Sequence, residues 1–302
     1  MLDLRKKRKS IEVGHFEAWL TEGRGSFHFE NLSWLRATLE FLFGISGLVR
    51  PGERNALSHR LSHHRLVFPG LPAHFDGFRI LHLSDLHIDA LAGLAESICT
   101  TIEDLHYDLC VLTGDYRFEI YGPYHSAQHG LEKLLATIRA PYGVVGVLGN
   151  HDFGEIVPWL EERGVTMLLN GSYEVHRDGQ SIWIAGVDDP HYYGCDDLDG
   201  ALQEVPPEAF KILAVHSPEL YREAEQRGIS LYLCGHTHAG QIRLPWIGPL
   251  MVNARCPRRM AAGLWRFGGM SGFTSAGAGS SMVPVRFGCP PEVTLIELRV
   301  SG

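Results

Sequence analysis

The sequence predicts an α/β fold built on a largely parallel sheet, and three observations lead to it. From Arg79 onward, apolar runs of strand length alternate with stretches of helical periodicity. Five of the apolar runs end in glycine or in a polar residue able to bind metal. At 302 residues, with 45% hydrophobic and 21% charged side chains, the chain can bury a sizeable core. The five run ends spread from Asp85 to His238, so their convergence requires one large domain rather than two small ones. The domain is expected over residues 76–302, preceded by an N-terminal segment, residues 1–75, holding a basic run, an amphipathic helix and a lead-in strand.

The basic run Arg5-Lys6-Lys7-Arg8-Lys9 reads as a solvated, frayed terminus. No signal peptide is expected, because the apolar stretch is too distant and lacks a small-residue cleavage site. A single helix is expected over residues 31–50, capped by Asn31 and stopped by Arg50-Pro51-Gly52. Leu32, Leu35, Leu39, Leu42, Phe43, Ile45 and Val49 share one side, widened by Trp34, Phe41 and Leu48. Its longest uncharged run, Phe41–Val49, falls far short of the ~20 residues that span a bilayer. Two uses fit such a helix: packing on the core, or lying in a membrane interface against anionic headgroups. The basic run tilts the choice toward the membrane. A strand is expected between His59 and Phe68, with His63 and His64 on its surface, and Pro69-Gly70-Leu71-Pro72 turns the chain.

The central strand follows. Ile80-Leu81-His82-Leu83 is a buried run that ends at Asp85 and His87, whose i, i+2 spacing puts both side chains on one side of an extended chain. Helix 91–105, strand 109–113 ending at Gly114-Asp115, helix 127–138 and strand 144–148 ending at Gly149-Asn150-His151-Asp152 continue the alternation. Helix 156–163 and strand 165–169 come next, then strands 173–176 and 181–187 around an Asp178-Gly179 hairpin turn. Asp188-Asp189-Pro190-His191 sits at a strand end on the active side and reads as an acidic turn, with a loop that supports the ligands or the substrate as the alternative. Runs 212–215 and 231–234 end at His216 and at Gly235-His236-Thr237-His238. One such histidine is ordinarily a satisfied loop residue, but five ligand-bearing ends in succession are not.

The set D-x-H, G-D, G-N-H-D, H and G-H-T-H resembles the calcineurin-like metallophosphoesterases across roughly residues 75–300. That resemblance implies a four-layer α/β/β/α sandwich of two mixed sheets, and two divalent cations. Asp85, His87 and His238 would hold one cation, Asn150, His216 and His236 the other, and Asp115 would bridge them. His151 would be the catalytic histidine beside the leaving group, with Asp152 orienting its ring. A shell of oxygen and nitrogen without thiolate favours Mn2+, with Fe, Zn or Mg as alternatives. Such a pair, about 3.5–4 Å apart, clamps the attacking and leaving oxygens of an in-line displacement.

The wording LVFPGLPAHFDGFRILHLSDLH, and later Gly277–Ser281 and Pro284–Val293, resembles bacterial membrane-associated phosphodiesterases, among them enzymes that hydrolyse UDP-2,3-diacylglucosamine in lipid A biosynthesis. The resemblance implies a phosphodiester or nucleotide-lipid substrate and a peripheral place on the inner face of the cytoplasmic membrane. Arg243 and Arg286 are candidate substrate ligands, since a guanidinium pairs bidentately with phosphate, with a structural salt bridge as the alternative for each. A soluble phosphodiester is the alternative substrate, and a non-catalytic metal-binding scaffold the alternative class. The net charge of -8 argues against broad nucleic-acid binding, and no protein partner is evident. The six scattered cysteines, none in a C-x-x-C pair, suit a reducing cytosol.

Overall fold

The computed structural model describes residues 2–14, 33–120, 124–244, 246, 248–249 and 252–301. Helices α1 (Leu2–Gly14), α2 (Ser33–Ser46) and α3 (Val49–Ala56) lead into strand β1 (Arg60–Phe68). Then come β2 (Arg79–Leu83), α4 (Leu94–Ile102), β3 (Leu109–Leu112), α5 (His125–Thr137), β4 (Val144–Gly146), α6 (Val157–Glu161) and β5 (Val165–Met167). The second half holds β6 (Gly171–Arg177), β7 (Gln180–Gly186), α7 (Leu198–Ala201), β8 (Phe210–Ala214), α8 (Tyr221–Gln226) and β9 (Leu231–Cys234). It closes with the short pair β10 (Arg243–Leu244) and β11 (Gly248–Pro249), then β12 (Gly263–Phe267), β13 (Met270–Thr274) and β14 (Glu292–Val300).

Two six-stranded mixed sheets result, in the orders β1-β14-β2-β3-β4-β5 and β12-β13-β9-β8-β7-β6. Strands β2 to β5 run parallel, and β14 inserts antiparallel to β2 while pairing parallel with β1. In the second sheet β7, β8, β9 and β13 are parallel, with antiparallel hairpins at both edges. The period-two alternation of each strand sorts its side chains into layers. Ile80, Leu109, Val111 and Val145 meet Ile182, Ile212, Leu231 and Leu233 between the sheets. Leu81, Leu83, Cys110 and Leu112 face the other way, onto Ile98, Ile102, Leu131 and Leu134 of α4 and α5. Leu213 and Tyr232 do the same against Leu220 and Ala224. This is the expected α/β/β/α sandwich.

The N-terminal region departs from expectation in three ways. The single helix over 31–50 is two helices: Gly47 (φ 71°) takes the left-handed conformation that ends α2. Pro51 does not stop the chain but sits in the first turn of α3, where its missing N–H costs nothing. The expected cap Asn31 lies outside the described residues. The basic run is not frayed either; it lies within α1, and Arg8 is 4% exposed. His63 is exposed on β1 as expected, whereas His64 turns partly inward, its ring 5.0 Å from Phe273. Among the described residues no helix is long and apolar enough to cross a membrane.

Candidate metal centre

Every residue of the expected constellation lies in a loop that leaves the carboxyl end of β2, β3, β4, β8 or β9, where α/β sheets place their ligands. Five of these residues are non-glycine yet have positive φ: Asp85 (49°), His87 (37°), Asp115 (55°), His236 (69°) and His238 (48°). Such conformations cost on the order of 1–3 kcal/mol each and gather where side chains must be aimed. Cross-loop hydrogen bonds hold them. Asp85 N–H donates to the Gly114 carbonyl (3.0 Å), His87 N–H to the Asp115 carbonyl (2.9 Å), and His236 N–H to the Asp85 carboxylate (3.0 Å). Only glycine fits at the closest approaches: a Cβ at 149 would lie 2.2 Å from Asp115 Oδ1, and one at 235 would lie 2.0 Å from Asp85 Oδ2.

The side chains form two groups joined by one carboxylate. His87 Nε2 lies 3.2 Å from His238 Nε2, which is 3.4 Å from Asp85 Oδ1. In the other group Asn150 Oδ1 is 2.8 Å from His216 Nε2 and 2.9 Å from His236 Nδ1. Asp115 Oδ2 stands between them, 3.5 Å from His87 Nε2 and 3.4 Å from His216 Nε2. Second contacts fix the rings. His87 Nδ1–H donates to the Arg117 carbonyl, His216 Nδ1–H to the Thr113 carbonyl (both 2.8 Å), and His151 Nδ1–H to the Phe118 carbonyl (2.6 Å). Each Nε2 therefore points inward, as metal ligation requires.

The site is short of positive charge. Burial pushes His87 down to about 3 and drives His151, His236 and His238 well below the usual imidazole range. Burial likewise raises Asp115 to about 7, with Asp152 and Asp85 adding to the shift. His216 alone moves up, to about 10: burial opposes its charge, but Asp115 and Asp85 face it and prevail. Neutral imidazole lone pairs turned toward carboxylates within 4 Å are a donor set for cations, and the residues fit two of them once an entering cation displaces the Nε2 proton of His216. His238 fits with one adjustment. Its Nδ1 faces Arg286 Nη2 at 3.2 Å, so the Nδ1 proton that Nε2 ligation demands would displace that contact.

Some expected roles change. Asp152 does not orient the His151 ring, which is held by Phe118. Its carboxylate accepts from the backbone N–H groups of Asp115 (2.7 Å), Tyr116 (2.8 Å) and Gly149 (2.8 Å), and so pins two ligand loops together. Arg286 is not available to substrate: it is 0% exposed and donates to the carbonyls of Ala276, Gly277, Gly279 and Cys289. Arg243 is exposed on β10 and is not among the residues brought together. His82 lies behind the site, Nε2 2.9 Å from Thr113 Oγ1. Both carboxylates of the 188–191 turn accept backbone N–H groups, as an acidic turn should.

The sequence reading left the use of the 188–191 turn open and missed Arg117 and the place of Arg8. His191, from the same turn, lays its ring 4.1 Å from that of His236 and is held by Glu219 (2.8 Å). Arg117 donates to the His151 carbonyl (2.6 Å). Arg8 reaches the Asn150–His151 loop from α1. Of these, only the position of His191 at a strand end left a signal in the sequence.

Comparison with known proteins agrees with the geometry. The family described as calcineurin-like phosphoesterase matches residues 78–240. The metallophosphoesterase YkuE of Bacillus subtilis is 31% identical over 76% of this chain and 82% of its own length. Phosphodiesterase YaeI of Escherichia coli is 29% identical over 85% of this chain and 92% of its own. A second Bacillus subtilis metallophosphoesterase, YkoQ, is 28% identical over 76% and 86%. With its strand-end histidines and carboxylates gathered into groups able to hold metal and its relatives named for the same chemistry, the chain belongs to the calcineurin-like phosphoesterase family and is a metal-dependent phosphoester hydrolase.

Proposed function

We propose that the protein hydrolyses a phosphodiester or pyrophosphate with two divalent cations, Mn2+ foremost, and that its substrate is a lipid-linked nucleotide of the UDP-2,3-diacylglucosamine type met at a membrane surface. The observation that carries the dinuclear reading is the placement of Asp115 Oδ2 within 3.5 Å of a histidine from each ligand group. Asp85, His87 and His238 would hold one cation, Asn150, His216 and His236 the other, and Asp115 both. The cations supply Lewis-acid activation of the phosphoryl group and of water. Asn150 contributes a neutral oxygen, which leaves the loaded site positive for an anionic substrate. His151 Nε2 faces the same centre, 3.9 Å from Asp115 Oδ2, and is the atom that would meet the leaving oxygen, handing it a proton once the anionic substrate raises the ring's affinity for one. Phe118 keeps that nitrogen pointed inward.

Support for a lipid-linked substrate comes from α2. Trp34, Phe41, Leu42 and Ile45 are all at least half exposed on it, which the core-packing use of this helix does not explain. The helix is anchored at the rim of the site. Arg36 pairs with Glu119 (2.9 Å) and lies 5.1 Å over the Phe118 ring, and Phe118 is the residue that holds His151. Arg50 and Arg54 of α3 are exposed beside a cleft of about 480 Å³, where anionic headgroups would meet positive charge. The relative named phosphodiesterase supports the diester class.

Purified protein tested with Mn2+ on UDP-2,3-diacylglucosamine in vesicles, and on a soluble aryl phosphodiester, checks this reading. Preference for the vesicle substrate is expected. Turnover of the soluble diester alone would leave a hydrolase with a soluble substrate, and no turnover of either would favour a scaffold.

A further inference from the structure

We propose that Arg8 is a positioning residue for the metal centre, and that α1 is a working part of the site rather than a leader to the domain. Arg8 lies outside the stretch that matches the family, which begins at residue 78. Its guanidinium is 4% exposed, and its donors go to four places. Nη2 donates to the carbonyls of Gly149 (3.2 Å) and Asp152 (2.5 Å). Nη1 pairs with the Asp188 carboxylate, and Nε donates to Glu12 Oε1 (2.9 Å). Its Cζ lies 3.9 Å from the centre of the Tyr193 ring.

The two carbonyls bracket Asn150 and His151, one proposed as a ligand and the other as the proton-handling residue. Glu12, one turn along α1, accepts the Gly154 N–H at 2.7 Å, so the helix grips the loop at three backbone groups. The dock itself is well made. Ile11 packs on Tyr192, Tyr193 and Cys195, and Lys7 Nζ donates to the Gly194 carbonyl at 3.1 Å. Buried carbonyls must find donors. Those of Gly149 and Asp152 find one planar cation that also answers Asp188, a fork that lysine's single ammonium does not reproduce. Because the loop is held from behind, Asn150 Oδ1 stays beside His216 and His236, and His151 stays over Asp115.

This inference rests on the proposed roles of Asn150 and His151. Its test compares Arg8→Ala, Arg8→Lys and Asn150→Ala by calorimetric titration with Mn2+ and by steady-state kinetics on a soluble aryl phosphodiester. Arg8→Ala should weaken one of two Mn2+ sites roughly 10–100-fold, the usual effect of losing a group that orients a ligand. Its kcat should fall by about 10²-fold, as for a small misplacement, with KM nearly constant. Added ethylguanidinium should restore both. Arg8→Lys, which keeps the charge facing Asp188, reads the same quantities should Arg8→Ala not fold, and should remain impaired. Both Mn2+ sites at wild-type affinity in the Arg8 variants, with Asn150→Ala weakened, would overturn the role of Arg8 alone. Wild-type affinity in Asn150→Ala would overturn the ligand assignment beneath it.

Discussion

Replacing Trp34, Phe41 and Ile45 with Gln, Ser and Thr separates the two uses open to α2. These side chains are 64%, 66% and 68% exposed, so the folded protein gives up little by their loss. Exposed substitutions of this kind change stability by about 0.5 kcal/mol or less. The consequence at a membrane is larger. With whole aromatic side chains at about 150–250 Å², the three present on the order of 400 Å² of apolar surface. At about 25 cal/mol per Å², full burial of that area is worth roughly 10 kcal/mol, and immersion of half of it about 5. Since each 1.4 kcal/mol is a factor of ten, the variant should partition onto anionic vesicles at least ~10³-fold more weakly. Vesicle flotation measures this directly, with paired assays on a vesicle-borne and a soluble diester. Activity should fall on the first and persist on the second. A lower Tm with equal losses on both substrates would mean that α2 packs as core, and unchanged flotation would remove the membrane surface.

Three other perturbations test the site and its frame. Gly235→Ala puts a Cβ 2.0 Å from Asp85 Oδ2 and Ser84 Oγ, so it should cost the protein one of its bound cations by elemental analysis, and a fully loaded, active variant would contradict the close approach. His151→Ala should keep both cations while kcat falls by roughly 10²–10⁴, less for a substrate with a better leaving group. Loss of a cation instead would make His151 a ligand, since its Nε2 also groups with His87 and Asp115. Burial pushes His59 down to about 4 where it meets Ser97 and the Ala278 carbonyl. Its folded form binds protons less readily than the unfolded chain, so its contribution is complete above about 6.5 and is lost as pH falls toward 4, by about 3 kcal/mol. In the presence of chelator, His59→Gln should flatten the fall in Tm across that window, and an unchanged slope would refute the assignment.

The candidate site was legible because the residues proposed as its ligands follow closely on apolar runs. Asp85, Asp115, Asn150, His216 and His236 each sit within four residues of a strand, and strand ends in an α/β sheet share one edge. What escaped was set by contacts distant in sequence. Arg8 lies in a run of like charges that reads as solvated, and its partner Asp188 is 180 residues away. Strand β14 lies inside the first sheet, yet its apolar pattern is interrupted by Glu292 and Glu297. Both are buried: Arg60 and Ser62 answer the first, and Arg65, Arg79 and Arg299 surround the second. The turn of the β12–β13 hairpin holds Gly268-Gly269, but Gly263–Thr274 carries no ligand-bearing strand end like those that mark the site. Asp152 and Arg286 show a different limit. Their types suited the roles expected of them, but backbone groups that no motif records had already engaged their side chains.

The central claim is that one carboxylate serves two cations, and Asp115→Asn addresses it with least disturbance, since the amide keeps the shape of the group and an oxygen to accept the His151 N–H bond (2.8 Å). The measurement is Mn2+ stoichiometry by elemental analysis and titration, alongside turnover of a soluble aryl phosphodiester. Two equivalents are expected in the wild type. In Asp115→Asn at least one should be weakened, with turnover lost and the far-ultraviolet circular dichroism unchanged. Two Mn2+ bound at wild-type affinity with near-normal turnover would contradict the account.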